Sequence, residues 1–159
     1  MPKRSYYVAS ALLFVTVLVS SYSALTRTPD DGVVRVKSAY SLRETIARLK
    51  TDIGDKGIRF FSEIDQSKLA ADAGIGLRPS VLLIFGNPPL GTQFITSNPN
   101  AGLDWPVRLL VFKDENGEVW TAHTDFAWIA RRHTIKDRET QFKMASNVIA
   151  SITSSVAAK

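Results

Sequence analysis

Cysteine is absent from the 159 residues. That gap excludes disulfide scaffolds, zinc-thiolate sites, iron-sulfur clusters, c-type haem attachment, lipoprotein acylation and thiol nucleophiles together. Histidine is nearly absent: His123 and His133 are the two present, and neither stands at a His-x-x-x-His or His-x-His spacing. A histidine-based zinc site would have to recruit distant carboxylates such as Asp65, Asp104 or Asp125, so no metal and no other cofactor is expected. No phosphate-binding or dinucleotide-binding glycine motif occurs, no Asn-x-Ser/Thr sequon, and no repeat of 20–50 residues. Among what is present, 45% of residues are hydrophobic and 22% charged, the balance of an ordinary folded domain.

One stretch runs long without charge. Met1-Pro2-Lys3-Arg4-Ser5 is a basic start, Tyr6 to Val19 carries no charge, and Ser20-Ser21-Tyr22-Ser23-Ala24 is small and polar. That layout is expected of a secretory signal peptide over residues 1–23, cleaved after Ser23, with an uncleaved anchor over Tyr6 to Leu25 as the alternative. Either outcome implies a periplasmic or otherwise extracytoplasmic location, and membrane contact only through that segment if it stays. Without Lys3 and Arg4 the net charge of +5 drops to +3, and no run of basic residues interleaved with aromatics remains. No nucleic-acid partner is expected.

Residues 24–32, with Pro29-Asp30-Asp31-Gly32, read as a tether, and residues 33–159 as one domain. Val33 to Lys37 reads as a strand. Ser41-Leu42-Arg43-Glu44 is a capping box opening a helix whose Leu42, Ile46, Leu49 and Ile53 form one stripe. Ile58 to Asp65 alternates as a second strand, with Ile58, Phe60 and Ile64 on one side and Arg59, Phe61, Glu63 and Asp65 on the other. A short helix over Gln66 to Ala73 precedes the strand Ser80 to Phe85, apolar on both sides and so expected to be covered on both faces, within the chain or by a second subunit. Pro89 to Thr96 can start a helix with proline in its first turn. Asn116-Gly117 joins strands Val107 to Phe112 and Glu118 to Thr124 as a hairpin. Phe126 to Arg132 gives helical turns, and residues 137–158 a long final helix striped by Phe142, Ala145, Ile149, Ile152 and Val156. The order β-α-β-(α)-β-(α)-β-β-α predicts a two-layer α+β domain with a mixed or mainly antiparallel sheet.

Several polar residues fall at strand ends beside glycine and proline turns, where backbone groups are free to bind. Glu63 and Asp65 are two apart on a strand, within reach of Arg78 or Arg108. Asn87 to Thr92 opens a helical turn whose N–H groups can meet an anion. Asp104-Trp105-Pro106-Val107-Arg108 sets an acid, an indole and a guanidinium around a strand start. His123 reads as a strand residue satisfied by a carbonyl, and His133 as a helix-terminal cation.

These residues also carry a resemblance. Glu63-Ile64-Asp65, Gly76-Leu77-Arg78-Pro79, Ile84-Phe85-Gly86-Asn87-Pro88, Gly91-Thr92, Gly102-Leu103-Asp104-Trp105-Pro106 with Arg108, and Asp125 through Ala130-Arg131-Arg132-His133 stand in one order. Over about Val36 to His133 the chain resembles domain-of-unknown-function family 302, a small bacterial and archaeal α+β domain. Two positions depart from its pattern. Gln66 stands where many relatives carry histidine, and Trp105 where leucine is usual. Where that histidine is catalytic or ligating, this chain keeps the site without that chemistry. The resemblance implies a fold and a site, and no reaction.

The expected function is therefore an envelope protein that binds a small polar or anionic ligand, or a partner protein, at the strand ends, through Glu63, Asp65, Asn87, Thr92, Asp104, Arg108 and His123. Two alternatives stand beside it. One is a hydrolase- or isomerase-type enzyme with Asp65 or His123 as general base and the Asn87 to Thr92 loop as an anion hole. The other is a homodimeric interaction module using the apolar strand.

Overall fold

The computed structural model describes residues 31–158; the leader and most of the tether lie outside the described residues. Its strands are β1 (Val33–Lys37), β2 (Arg59–Asp65), β3 (Ser80–Gly86), β4 (Val107–Lys113) and β5 (Val119–Thr124). Its helices are α1 (Leu42–Asp55), α2 (Gln66–Asp72), α3 (Pro88–Ser97), α4 (Phe126–Arg132) and α5 (Glu139–Ser154), with a 3-10 segment at Pro99–Leu103. The strands form one sheet in the order β1-β5-β4-β3-β2, antiparallel at every pairing. The result is a two-layer α+β domain. No helix among the described residues is long and apolar enough to cross a membrane.

Short polar side chains start most of the helices. Ser41, Asp65, Asn87 and Asp125 each accept a backbone N–H of the helix that follows. The capping box at Ser41 is half made: Glu44 turns its carboxylate to Arg48, one turn on, instead of back to the cap. The last helix ends at Ser154, and the chain beyond it turns so that Ala157 bridges Ser38.

Leu49 and Ile53 of α1 and Ile149 and Ile152 of α5 pack on Val81, Leu83, Leu109 and Val111, forming the core on one face of the sheet. Stacked rings of Phe94 and Phe142, 4.1 Å between centroids, tie α3 to α5. On the opposite face β3 is not covered from within the chain, the first of the two expected alternatives. Leu82 and Ile84, which point there, stay half-exposed, and no described helix lies across them.

A correction concerns β2. A bulge at Phe61 shifts the register, so that Phe60 pairs with Phe85 but Ser62 pairs with Ile84. The one-residue slip moves Glu63 and Asp65 to the side of Phe60, opposite Leu83 and Val81, and Ile64 to the open face.

Candidate functional site

The antiparallel sheet sorts the strand-end residues into two distant groups. Asn87, Asp104, Arg108 and His123 belong to the end where β3 and β5 finish and β4 begins. Glu63 and Asp65 belong to the other end, so neither meets Arg108. Glu63 pairs instead with Lys50 of α1 at 2.7 Å. Asp65 caps α2, accepting from the Ser67 hydroxyl at 2.6 Å and from Lys68 N at 2.8 Å; those bonds, the hydroxyl's first, hold its carboxyl below the usual range. Gln66 accepts from the Ser80 hydroxyl at 2.8 Å, also at that end.

The Asn87 to Thr92 loop holds no anion cradle. Leu90 N and Gly91 N donate to the Asn87 carbonyl, the Asn87 side chain also accepts from Leu90 N, and the Thr92 hydroxyl donates to the Pro88 carbonyl. What the loop accommodates is Trp105. Its indole lies so close to Gly91 that a Cβ there would be 1.8 Å from Nε1, and to Gly86 that a Cβ would be 3.1 Å away. The glycines of this motif make room for a ring.

Asp104 forms a knot rather than an open pocket. Its carboxylate is buried and accepts from Arg108 Nη2 at 3.2 Å, from Arg132 Nη1 at 3.2 Å, and shares a 2.6 Å hydrogen bond with His133 Nε2. The histidine ring is also buried, and its backbone carbonyl accepts from the Asn98 side chain. His133 is therefore a buried partner of Asp104, where the sequence suggested a surface cation on a helix end. The four groups join the loop before β4 to the end of α4. They fix a chain crossing, and the two arginines cap it from solvent.

His123 differs from all of these. Opposite Leu109 on β4 and Val34 on β1, it lies on the core side of the sheet and is 7% exposed. Its Nδ1 is enclosed and has no hydrogen-bond partner, where a satisfying carbonyl was expected. Burial pushes the imidazole below its ordinary value, against a smaller opposing pull from Asp125. The ring lines a slot of about 280 Å³ under α5, walled by Val34, Val36, Ile149 and Ala150, with Asp125 and Ser146 also facing it. The wall from α5 could not be read from sequence, since those residues lie more than 20 positions from the histidine. Among the described residues no three metal-ligating side chains converge.

The family model described as "Domain of unknown function DUF302" matches residues 34–153, taking in α5 as well as the sheet. Curated relatives include fluoride-specific ion channel FluC 1 of Brucella suis, 37% identical over 118 residues, covering 74% of this chain and 46% of that protein. FluC 2 of Brucella melitensis matches at 37% over 118 residues, 74% of this chain and 44% of that protein. The chain thus spans under half the length of the curated relatives it matches. A solved structure, an uncharacterized conserved protein of the same family from Bacillus stearothermophilus, superposes with a TM-score of 0.73 at 16% identity, over 79% of this chain and 98% of that one. That likeness shows the fold.

Proposed function

The chain belongs to the DUF302 family, and from that premise we propose that it is a binding module of the cell envelope, holding a small, mainly apolar ligand in the slot under α5. His123 is the polar anchor. One observation carries the reading: an enclosed imidazole nitrogen without a partner, in a protein interior where such atoms are rare, belongs to a ring that lines a slot large enough for a small molecule. Rotation of the ring about its soft χ2 torsion is the motion that would offer that nitrogen to a ligand hydroxyl or amine.

The lining also selects charge. It contains no lysine or arginine, contributes the Asp125 carboxylate, and keeps His123 neutral through burial. An anion would enter this slot without a counter-charge, which costs several kcal/mol in a desolvated site, roughly. Neutral and cationic head groups suit it. This narrows the polar or anionic ligand expected from the strand ends, most of whose candidates are consumed in caps and ion pairs. An enzymatic role has less support. Asp65 is a surface cap, and no hydroxyl among the described residues is hydrogen-bonded to His123. That a segment under half the length of proteins named as fluoride-specific ion channels resembles this chain favours a module able to work in several chain contexts.

Three molecules with one apolar body test the proposal on the full chain: cyclohexanol, cyclohexylamine and cyclohexanecarboxylate. The first two are expected to raise the melting temperature and move the His123 imidazole nitrogen resonances. The carboxylate, and fluoride compared with equal chloride, are expected to do neither. Unmoved His123 resonances with all probes, or equal binding by His123→Gln, would overturn the assignment.

A further inference from the structure

The slot beside His123 continues along α5. Lys143, Ser146, Ala150 and Thr153 succeed one another on that helix at steps of three and four residues, so they share one of its faces. Ala150 and Thr153 wall the slot, Lys143 lines a second cavity, and Ser146 borders both. This second cavity, a basin of about 500 Å³, lies between α4 and α5. Its floor is apolar, formed by the buried side chains of Ile135 and Phe142 with Ala127 and Ala130 of α4 beside them.

The two parts differ in charge. The slot has the Asp125 carboxylate and no base. The basin is lined by Lys136, Lys143 and Arg131, and Glu139 is its one acid. Neither lysine forms an ion pair or a side-chain hydrogen bond among the described residues, and Glu139, one turn before Lys143 on α5, does not close on it. The two lysines alone therefore outweigh the acid, and the basin favours an anion where the slot opposes one.

Exposed lysines hold a free anion weakly, because water and salt screen each contact. An anion carried on a chain already seated in the slot meets them at a high local concentration, so the second contact adds to the first. The spacing suits such a chain: Ala150 lies seven residues beyond Lys143, a rise of about 10 Å along α5. A carboxylate fixed directly on a compact ring, as in cyclohexanecarboxylate, cannot span that distance.

We infer that slot and basin form one two-part site for an alkyl chain with a hydroxyl at one end, held at His123, and a carboxylate at the other, held at Lys136 and Lys143. With the slot as a ligand site for its premise, the basin supplies what the slot lacks, reach and a counter-charge.

Calorimetric titration of the full chain with octanol, octanoate and ω-hydroxyoctanoate at constant ionic strength tests this, with the His123 resonances followed in parallel. ω-Hydroxyoctanoate is expected to bind about tenfold more tightly than either of the others, since each of those makes only one of the two polar contacts. Lys136→Gln combined with Lys143→Gln, both on exposed side chains, is expected to bring ω-hydroxyoctanoate down to the level of octanol and to leave octanol itself unchanged. Raised salt should do the same to the parent chain. If octanol moves the His123 resonances but ω-hydroxyoctanoate binds no more tightly, or keeps its advantage in the double variant, the two-part site is overturned and the slot stands. Octanol that leaves His123 unmoved overturns both.

Discussion

Two carboxylates show how little a side chain's type says about its weight. Glu63 and Asp104 both lie at strand ends and both pair with a base. Glu63 is half-exposed and its partner Lys50 is likewise in solvent, so water replaces either at small cost. Asp104 has a side chain 4% exposed, and its removal leaves buried His133 without its partner. Urea denaturation should therefore separate the two: Asp104→Ala is expected to cost about 3 kcal/mol, and Glu63→Ala under about 0.5 kcal/mol. Equal losses would mean that the Asp104 knot is solvated and does not hold the loop before β4 to α4. His123 is the opposite case, a buried polar group kept without a partner, and on the present reading that deficit is what a ligand relieves.

The start of α3 is decided between elements. Asn87 caps the helix and proline occupies its first turn, which local sequence is enough to specify. The glycine at position 91 is there for a different reason. Trp105, from the loop before β4, lays its indole where a side chain at 91 would be. Gly91→Ala is expected to destabilise the domain by about 3 kcal/mol, because ring and helix must separate. Replacing Trp105 by leucine removes the obstacle, so Gly91→Ala combined with Trp105→Leu should be more stable than Gly91→Ala alone. A thermal-unfolding comparison of the three variants reads the coupling, and simple additivity would refute it. Gly32 is held by a similar constraint at β1. It adopts a φ of +68° and packs against Trp128.

For the molecule as a whole, stability should fall in two stages on acidification. His123 is pushed down by burial, so below its ordinary value of 6.5 the unfolded chain takes up the proton more readily than the folded one. Stability is full above that pH and declines as pH falls toward the folded value. Asp31 is held low first by Arg35, Asp65 first by Ser67, and Asp137 first by Ser97; at Asp114 desolvation pulls upward but the bonds from Glu118 N and the Trp120 indole prevail. Their contribution is present above 3.8 and lost as pH drops through the folded values. Urea midpoints measured against pH should show both stages, and His123→Gln should remove the upper one alone. The order of elements was legible in the chain, because apolar spacing, caps and an Asn-Gly hairpin are local signals. The grouping of the site was not. A strand-end argument puts Glu63 and Asp65 within reach of Arg78 or Arg108 alike, because it ignores which end each strand presents. A bulge of one residue then reversed their face. His123 and α5, Asp104 and His133, and the two sides of the sheet are brought together by the antiparallel strand order. Local sequence determined what each segment becomes, through backbone propensity and side-chain period. Tertiary structure alone decided which polar groups are satisfied, since hydrogen-bond partners and desolvation depend on residues far apart in the chain.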